Sequence, residues 1–177
     1  EESVRLATEE VNAFSGDYQK LWLEGMRNKI GLMLTEEDDQ GLINDLLTLM
    51  KEQQVDFTLL FRGLSDVAQG KLDSVLRLFD DPKVFNVWYA QWTERLAREP
   101  IELDARVSLM NSVNPIYIPR NHKVEEALQA AEKDQNYEPF EKLMGVLAEP
   151  FVKRDGLDEY AVPAPSDFGP YKTFCGT

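Results

Sequence analysis

One cysteine, Cys175, and one histidine, His122, are all that the 177 residues hold of the two types that most often carry metal or nucleophilic chemistry. That pair cannot build a Cys/His zinc site. Any Ser-His or Cys-His couple would have to use His122. A single thiol also excludes an intramolecular disulfide, and a chain of this length needs none, since it buries about 70% of its unfolded surface. Cations are scarce as well: 19 Lys and Arg face 32 Asp and Glu, for a formal net charge of −13. Clustered cations supply phosphate affinity, so a nucleic-acid partner is not expected. No apolar run reaches the ~18–20 residues that span a bilayer, and no signal-peptide pattern opens the chain, so no membrane partner is expected either. Position 1 is Glu rather than Met. A processed chain, or a piece of a longer one, is expected.

What is present is helical periodicity. Apolar residues recur at three- and four-residue spacing, and alternating β-type runs are scarce. Val4, Leu6, Ala7, Val11 and Phe14 mark a first helix, with Ser15-Gly16-Asp17 expected to interrupt it. Tyr18, Leu21, Trp22, Met26 and Ile30 continue the stripe as far as Gly31. The acidic run Glu36–Asp39 reads as a solvated helix start, where carboxylates complement the positive end of the dipole. Asp56 reads as an N-cap, and Pro82 suits the first turn of the helix carrying Phe85, Trp88, Tyr89 and Trp92. Further helices are expected before Asn114-Pro115 and around 124–133 and 139–147. The expected architecture is all-α: an irregular helical bundle over 1–148, then an extended Pro/Gly-rich tail over 149–177.

Few residues invite a chemical reading. Glu36, Asp38, Gln40 and Gly41 are spaced like a calcium loop, but position twelve is Leu47 where a bidentate carboxylate is required. The aromatic stripe Phe85, Trp88, Tyr89 and Trp92 at i, i+3, i+4 and i+7 reads as core packing. His122 at a helix start reads as a surface or capping group, and it is the only imidazole available to a small helical hydrolase. Arg62, Arg106 and Arg120 sit among apolar residues and are expected to pair with carboxylates across helix interfaces. Cys175 stands third from the end of an irregular tail, where a thiol can meet a distant partner and change redox state.

The stretch Met110-Asn111-Ser112-Val113-Asn114-Pro115-Ile116-Tyr117-Ile118-Pro119-Arg120-Asn121 resembles a signature of the selenoprotein O family: Asn-Pro, a short spacer, then Arg-Asn at a helix start. Upstream, Asn44-Asp45-Leu46-Leu47, Asp56-Phe57-Thr58, Phe61-Arg62 and Leu64-Ser65 look like the family's preceding helix pair. Downstream, Ala127, Ala130-Ala131-Glu132-Lys133, Leu147 and Pro150-Phe151 resemble its next pair. The ending Pro165-x-Asp167-Phe168-Gly169 through Cys175 is similar to the family's C-terminus, departing from it in Gly176-Thr177 where two serines are expected.

The resemblance implies a protein-kinase-like fold that transfers AMP from ATP to protein hydroxyls. It implies ATP and Mg (or Mn) as cofactors of the whole protein, and a cytoplasmic location for a bacterial-type member. The family's nucleotide-, metal-binding and catalytic residues lie in a kinase-like core preceding the matched region. No Gly-rich phosphate loop with a strand Lys, and no paired catalytic Asp set, occurs here. These residues therefore correspond to the C-terminal, non-catalytic helical part, with no catalytic, cofactor or metal residue carried over. Cys175 corresponds to the family's redox-active tail residue, which forms a disulfide with a cysteine of the core. Asn114, Pro115, Arg120 and Asn121 form a hydrogen-bonding corner suited to fixing helix orientation. The expected partners are the preceding kinase-like region and the protein substrates of the whole enzyme. A homodimer through surface left open by truncation is a further possibility. The alternative is a self-standing acidic helical module that binds a protein through its aromatic face.

Overall fold

Helical spacing becomes eight α-helices, with no strand among the described residues, in the computed structural model, which describes residues 2–169 and 171. They are α1 (Glu2–Lys29), α2 (Asp39–Glu52), α3 (Phe57–Ala68), α4 (Asp73–Leu76), α5 (Lys83–Leu96), α6 (Leu103–Val113), α7 (Asn121–Asp134) and α8 (Glu138–Leu147). Two short 3-10 turns, Asp158–Tyr160 and Ser166–Phe168, follow. Cys175 lies outside the described residues.

The expected break at Ser15-Gly16-Asp17 does not occur, and α1 is one helix of 28 residues. A Cβ at Gly16 would meet nothing within 4 Å, so the glycine relieves no crowding. Its cost of roughly 1 kcal/mol against Ala is smaller than the penalty of nucleating a second helix. The helix stops at Gly31, whose φ of +78° lies in the left-handed region and lets the Leu32 N–H reach back to the Arg27 carbonyl at 3.0 Å.

Two apolar clusters form. The larger joins the end of α1 to α2, α3, α4, α5 and α6 around Ile30, Ile43, Leu46, Phe61, Phe85 and Trp92. The aromatic stripe of α5 is its centre, with Trp88 and Trp92 stacked at 5.3 Å. Each buried indole finds an acceptor at 2.9 Å, Trp88 on the Leu42 carbonyl and Trp92 on the Ile30 carbonyl. The smaller cluster, Tyr117, Ala127, Leu143, Val146 and Tyr160, packs α7 against α8 and draws Leu157 and Ala161 onto them.

The acidic run before α2 is not uniformly solvated. Asp39 is 1% exposed and accepts the Arg95 Nε–H at 2.8 Å, while its other oxygen accepts the Glu36 N–H at 2.9 Å. Arg95 also donates to Glu99 at 2.7 Å and to the Leu34 carbonyl at 2.9 Å. Glu99 in turn takes the N–H groups of Met33 and Leu34. One buried guanidinium and two buried carboxylates thus fold the 30–38 connection onto α5. Removing one member of such a set strands the others away from water. Arg95→Met is expected to lower unfolding stability in urea by about 3–5 kcal/mol. A loss under about 1 kcal/mol would show that the network adds nothing net.

Candidate functional site

The geometry of the Asn114–Asn121 corner begins with a proline. Pro115 disfavours helical backbone at the residue before it, and Asn114 is extended at φ −110°, ψ 104°, ending α6. Its side chain, 1% exposed, turns inward. Asn114 Nδ2 donates to the Lys29 carbonyl at 2.8 Å, and Lys29 Nζ donates to Asn114 Oδ1 at 3.3 Å and to the Val113 carbonyl at 3.0 Å. Burial pulls the Lys29 ammonium below its ordinary pKa. Arg62 from α3 donates to the Asn111 and Asn114 carbonyls, both at 3.0 Å. The ends of α1 and α6 are thereby tied to α3 through one amide and two cations.

The chain then crosses to the second cluster. The Ile116 and Tyr117 N–H groups both donate to the Pro150 carbonyl, at 2.7 and 3.1 Å. The buried Tyr117 hydroxyl donates to the Arg154 carbonyl at 3.3 Å, and the Arg154 guanidinium lies 5.6 Å over its ring. Arg154 also donates to the Gly145 and Val146 carbonyls at the end of α8.

Arg120 opens α7 and sends its side chain back to Asp56, at 2.5 and 3.1 Å, with a further bond to the Ala161 carbonyl at 3.0 Å. Asp56 meanwhile caps α3, accepting the Leu59 N–H at 2.8 Å. Burial on its own would raise the Asp56 carboxyl. The Arg120 and Leu59 hydrogen bonds, with the guanidinium's charge, outweigh that and hold it below the ordinary carboxylate value. One carboxylate thus serves two elements from different clusters.

Of the three arginines expected to pair with acids, Arg120 alone does so among the described residues. Arg62 and Arg106 bond instead to carbonyls at helix C-termini, Arg106 reaching Leu96 at 3.0 Å at the end of α5. Those carbonyls lack intrahelical partners and sit at the negative end of the dipole, so a guanidinium satisfies both needs. Asn121 is exposed at the start of α7. It lines a cleft of about 440 Å³ with Asp56, Arg120, His122, Pro163 and Phe168. His122 meets the Phe168 ring edge-on at 5.9 Å. Burial, with Lys123 and Arg120 nearby, lowers the imidazole's pKa, which keeps it neutral at pH 7. No serine, threonine or cysteine lines that cleft among the described residues, so neither a Ser-His nor a Cys-His couple is assembled there. Nor do three His, Cys, Asp or Glu side chains converge as a metal cage among the described residues.

The sequence reading missed Lys29, Asp39, Arg95 and Glu99. Only the i, i+4 spacing of Arg95 and Glu99 was visible beforehand.

Beside that cleft, a polar corner thus ties together the helices of this region. The comparisons with known proteins place it. Residues 3–148 match the family model of protein adenylyltransferase SelO, and the chain belongs to that family. It is 43% identical over 178 residues to a protein nucleotidyltransferase YdiU of Bradyrhizobium diazoefficiens, covering 100% of this chain and 36% of that protein. The protein of the same name from Chromobacterium violaceum is 44% identical over 99% of this chain and 37% of its own length. A third, from Bacillus thuringiensis, is 40% identical over 100% of this chain and 35% of its own length. The chain therefore spans about a third of the curated relatives it matches.

The Asp56–Arg120 pair carries a pH signature. Because the folded carboxyl is held below its unfolded value of about 3.9, the stabilisation is complete above that value and is lost as pH falls through the lower, folded one. Arg120→Met is expected to cost about 2 kcal/mol at pH 6 in urea unfolding. That difference from the native chain should shrink below about pH 4. A gap unchanged between pH 6 and pH 3 would assign the loss to packing alone.

Proposed function

We propose that these residues are the C-terminal helical part of a longer SelO-type adenylyltransferase, one that transfers AMP from ATP to Ser, Thr or Tyr hydroxyls of other proteins. Their contribution is framework, not catalysis. Membership of the family and the one-third coverage support the longer parent. The observation that carries the framework role is the commitment of the corner's buried groups to one another: Asn114 to Lys29, Arg62 to the end of α6, Arg120 to Asp56.

The described residues do not fit Mg-ATP. A phosphate site needs a cradle of backbone N–H groups or free cations, and a divalent metal needs converging oxygens. Here Asp39 is bonded to Arg95, Asp56 to Arg120 and Glu36 to Arg98. Nucleotide and Mg (or Mn) are accordingly assigned to the parent's kinase-like core, which is also this region's expected partner. Cytoplasmic location belongs to the same proposal. Cys175 is the proposed redox residue: with a cysteine of the core it forms a disulfide, two electrons and two protons passing to an oxidant such as oxidised glutathione.

The alternative, a self-standing interaction module, loses the surface first assigned to it. Phe85, Trp88 and Trp92 are buried in the larger core, so the aromatic face of α5 is not available for docking.

Calorimetry of the 177-residue chain with Mg-ATP is expected to give no saturable binding, and a saturable site would overturn the framework role. In the full-length protein, Arg120→Met is expected to reduce transfer of labelled AMP only in proportion to lost folded protein, with KM for ATP unchanged. Under oxidised glutathione, the full-length protein is expected to shift on a non-reducing gel, and Cys175→Ser to abolish that shift. A shift surviving the substitution would remove Cys175 from the redox role.

A further inference from the structure

An amphipathic face without a partner runs along the first five turns of α1. Residues 2–21 are all exposed, and Val4, Val11, Phe14, Tyr18 and Leu21 expose between 58% and 73% of their surface. With Ala7 they recur at alternating spacings of three and four, which places them on one side of the helix. Glu10, Asp17 and Glu24, seven residues apart, border the stripe on one edge, and Thr8 and Ser15 border it on the other. The helix joins the larger core only further on, through Trp22, Leu23, Met26 and Ile30. The Phe14–Tyr18 stack at 6.2 Å is internal to α1 itself. Twenty residues of helix bathed in water on every side are marginal, and the stripe repeats too regularly for scattered surface apolar residues.

We infer that this stripe docks on the segment of the full-length protein preceding Glu1, an inference that rests on the longer transferase proposed above. The curated relatives extend to nearly three times the length matched here, so ample chain exists to cover it. The family match begins at residue 3, so nearly all of α1 lies within the matched region. The uncovered end of α1 is its N-terminal end, so the preceding chain emerges beside the stripe it would cover. A second copy is the poorer occupant. Antiparallel pairing sets the Glu10, Asp17 and Glu24 rows against each other, and parallel pairing sets them against uncharged Thr8 and Ser15. A net charge of −13 on each copy opposes both. The surface that receives α1 is therefore apolar along its centre and carries Lys or Arg along the edge facing Glu10, Asp17 and Glu24.

Hydrogen exchange of the full-length protein, followed by mass spectrometry, tests this. Peptides spanning 4–21 are expected to exchange at least 100-fold slower than unstructured peptide rates. Phe14→Glu, and separately Glu10→Lys with Asp17→Lys, are expected to abolish that protection while α3 and α5 stay protected. Arg5→Glu, on the opposite side of the helix, is expected to leave it unchanged. Unprotected 4–21 peptides in the native full-length protein would overturn the inference. So would protection that rises with protein concentration alongside a doubling of mass in sedimentation, which would assign the stripe to a second copy. AMP transfer measured on the same preparation separates the two readings. Protection without transfer leaves the docking standing and removes the transferase; transfer without protection removes the docking alone.

Discussion

Two apolar clusters that share no side chain are held in register by one carboxylate. Asp56 caps α3, which belongs to the larger cluster, and receives the guanidinium of Arg120, which opens α7 in the smaller one. Neither role could move without the other, since the cap geometry fixes where Arg120 must arrive. Arg120 then reaches Ala161 and draws the chain after α8 onto the same joint. Asn114 and Arg62 brace it from the side of α1 and α6. Apolar burial supplies the bulk of the stability of each cluster, but it is non-directional. The polar joint gives the two clusters one orientation.

Arginine recurs in this chain as a cap for helix ends. Arg62, Arg106 and Arg154 each donate to carbonyls where α6, α5 and α8 stop. Helix C-termini in a bundle leave such carbonyls half-buried, and a planar guanidinium on a long apolar stem can satisfy them without dragging in water. Arg95 and Arg120 act differently, Arg95 as a buried cation matched by Asp39 and Glu99, and Arg120 as the partner of Asp56.

Membership of the SelO family gives these arrangements a setting. The signature residues of the region occupy the joint between clusters, where they hold backbone and side chains of this chain. Among the described residues the apolar stripe of α1 stays exposed, and it is this surface that the proposed docking covers.

Helix content, the capping role of Asp56, the end of α6 before Asn114-Pro115 and the core position of Phe85, Trp88 and Trp92 were all determined by local sequence. Periodicity, proline and cap chemistry act within a turn or two, so they can be read along the chain. Gly16 misled for the same reason: a local helix-breaking signal carried too little free energy to end a helix already formed on both sides. The destinations of Arg62, Arg106, Arg95 and Asp39 were decided by tertiary structure alone. A charged side chain is indifferent to which acid or carbonyl it meets until folding brings one within reach, across 56 residues for Arg95 and Asp39 and 64 for Arg120 and Asp56. The solitary Cys175 and His122 exclude a Cys/His zinc site within this chain by count alone. Only packing could show His122 beside Phe168, because a pair of groups becomes a site through distance, which no spacing along the chain encodes.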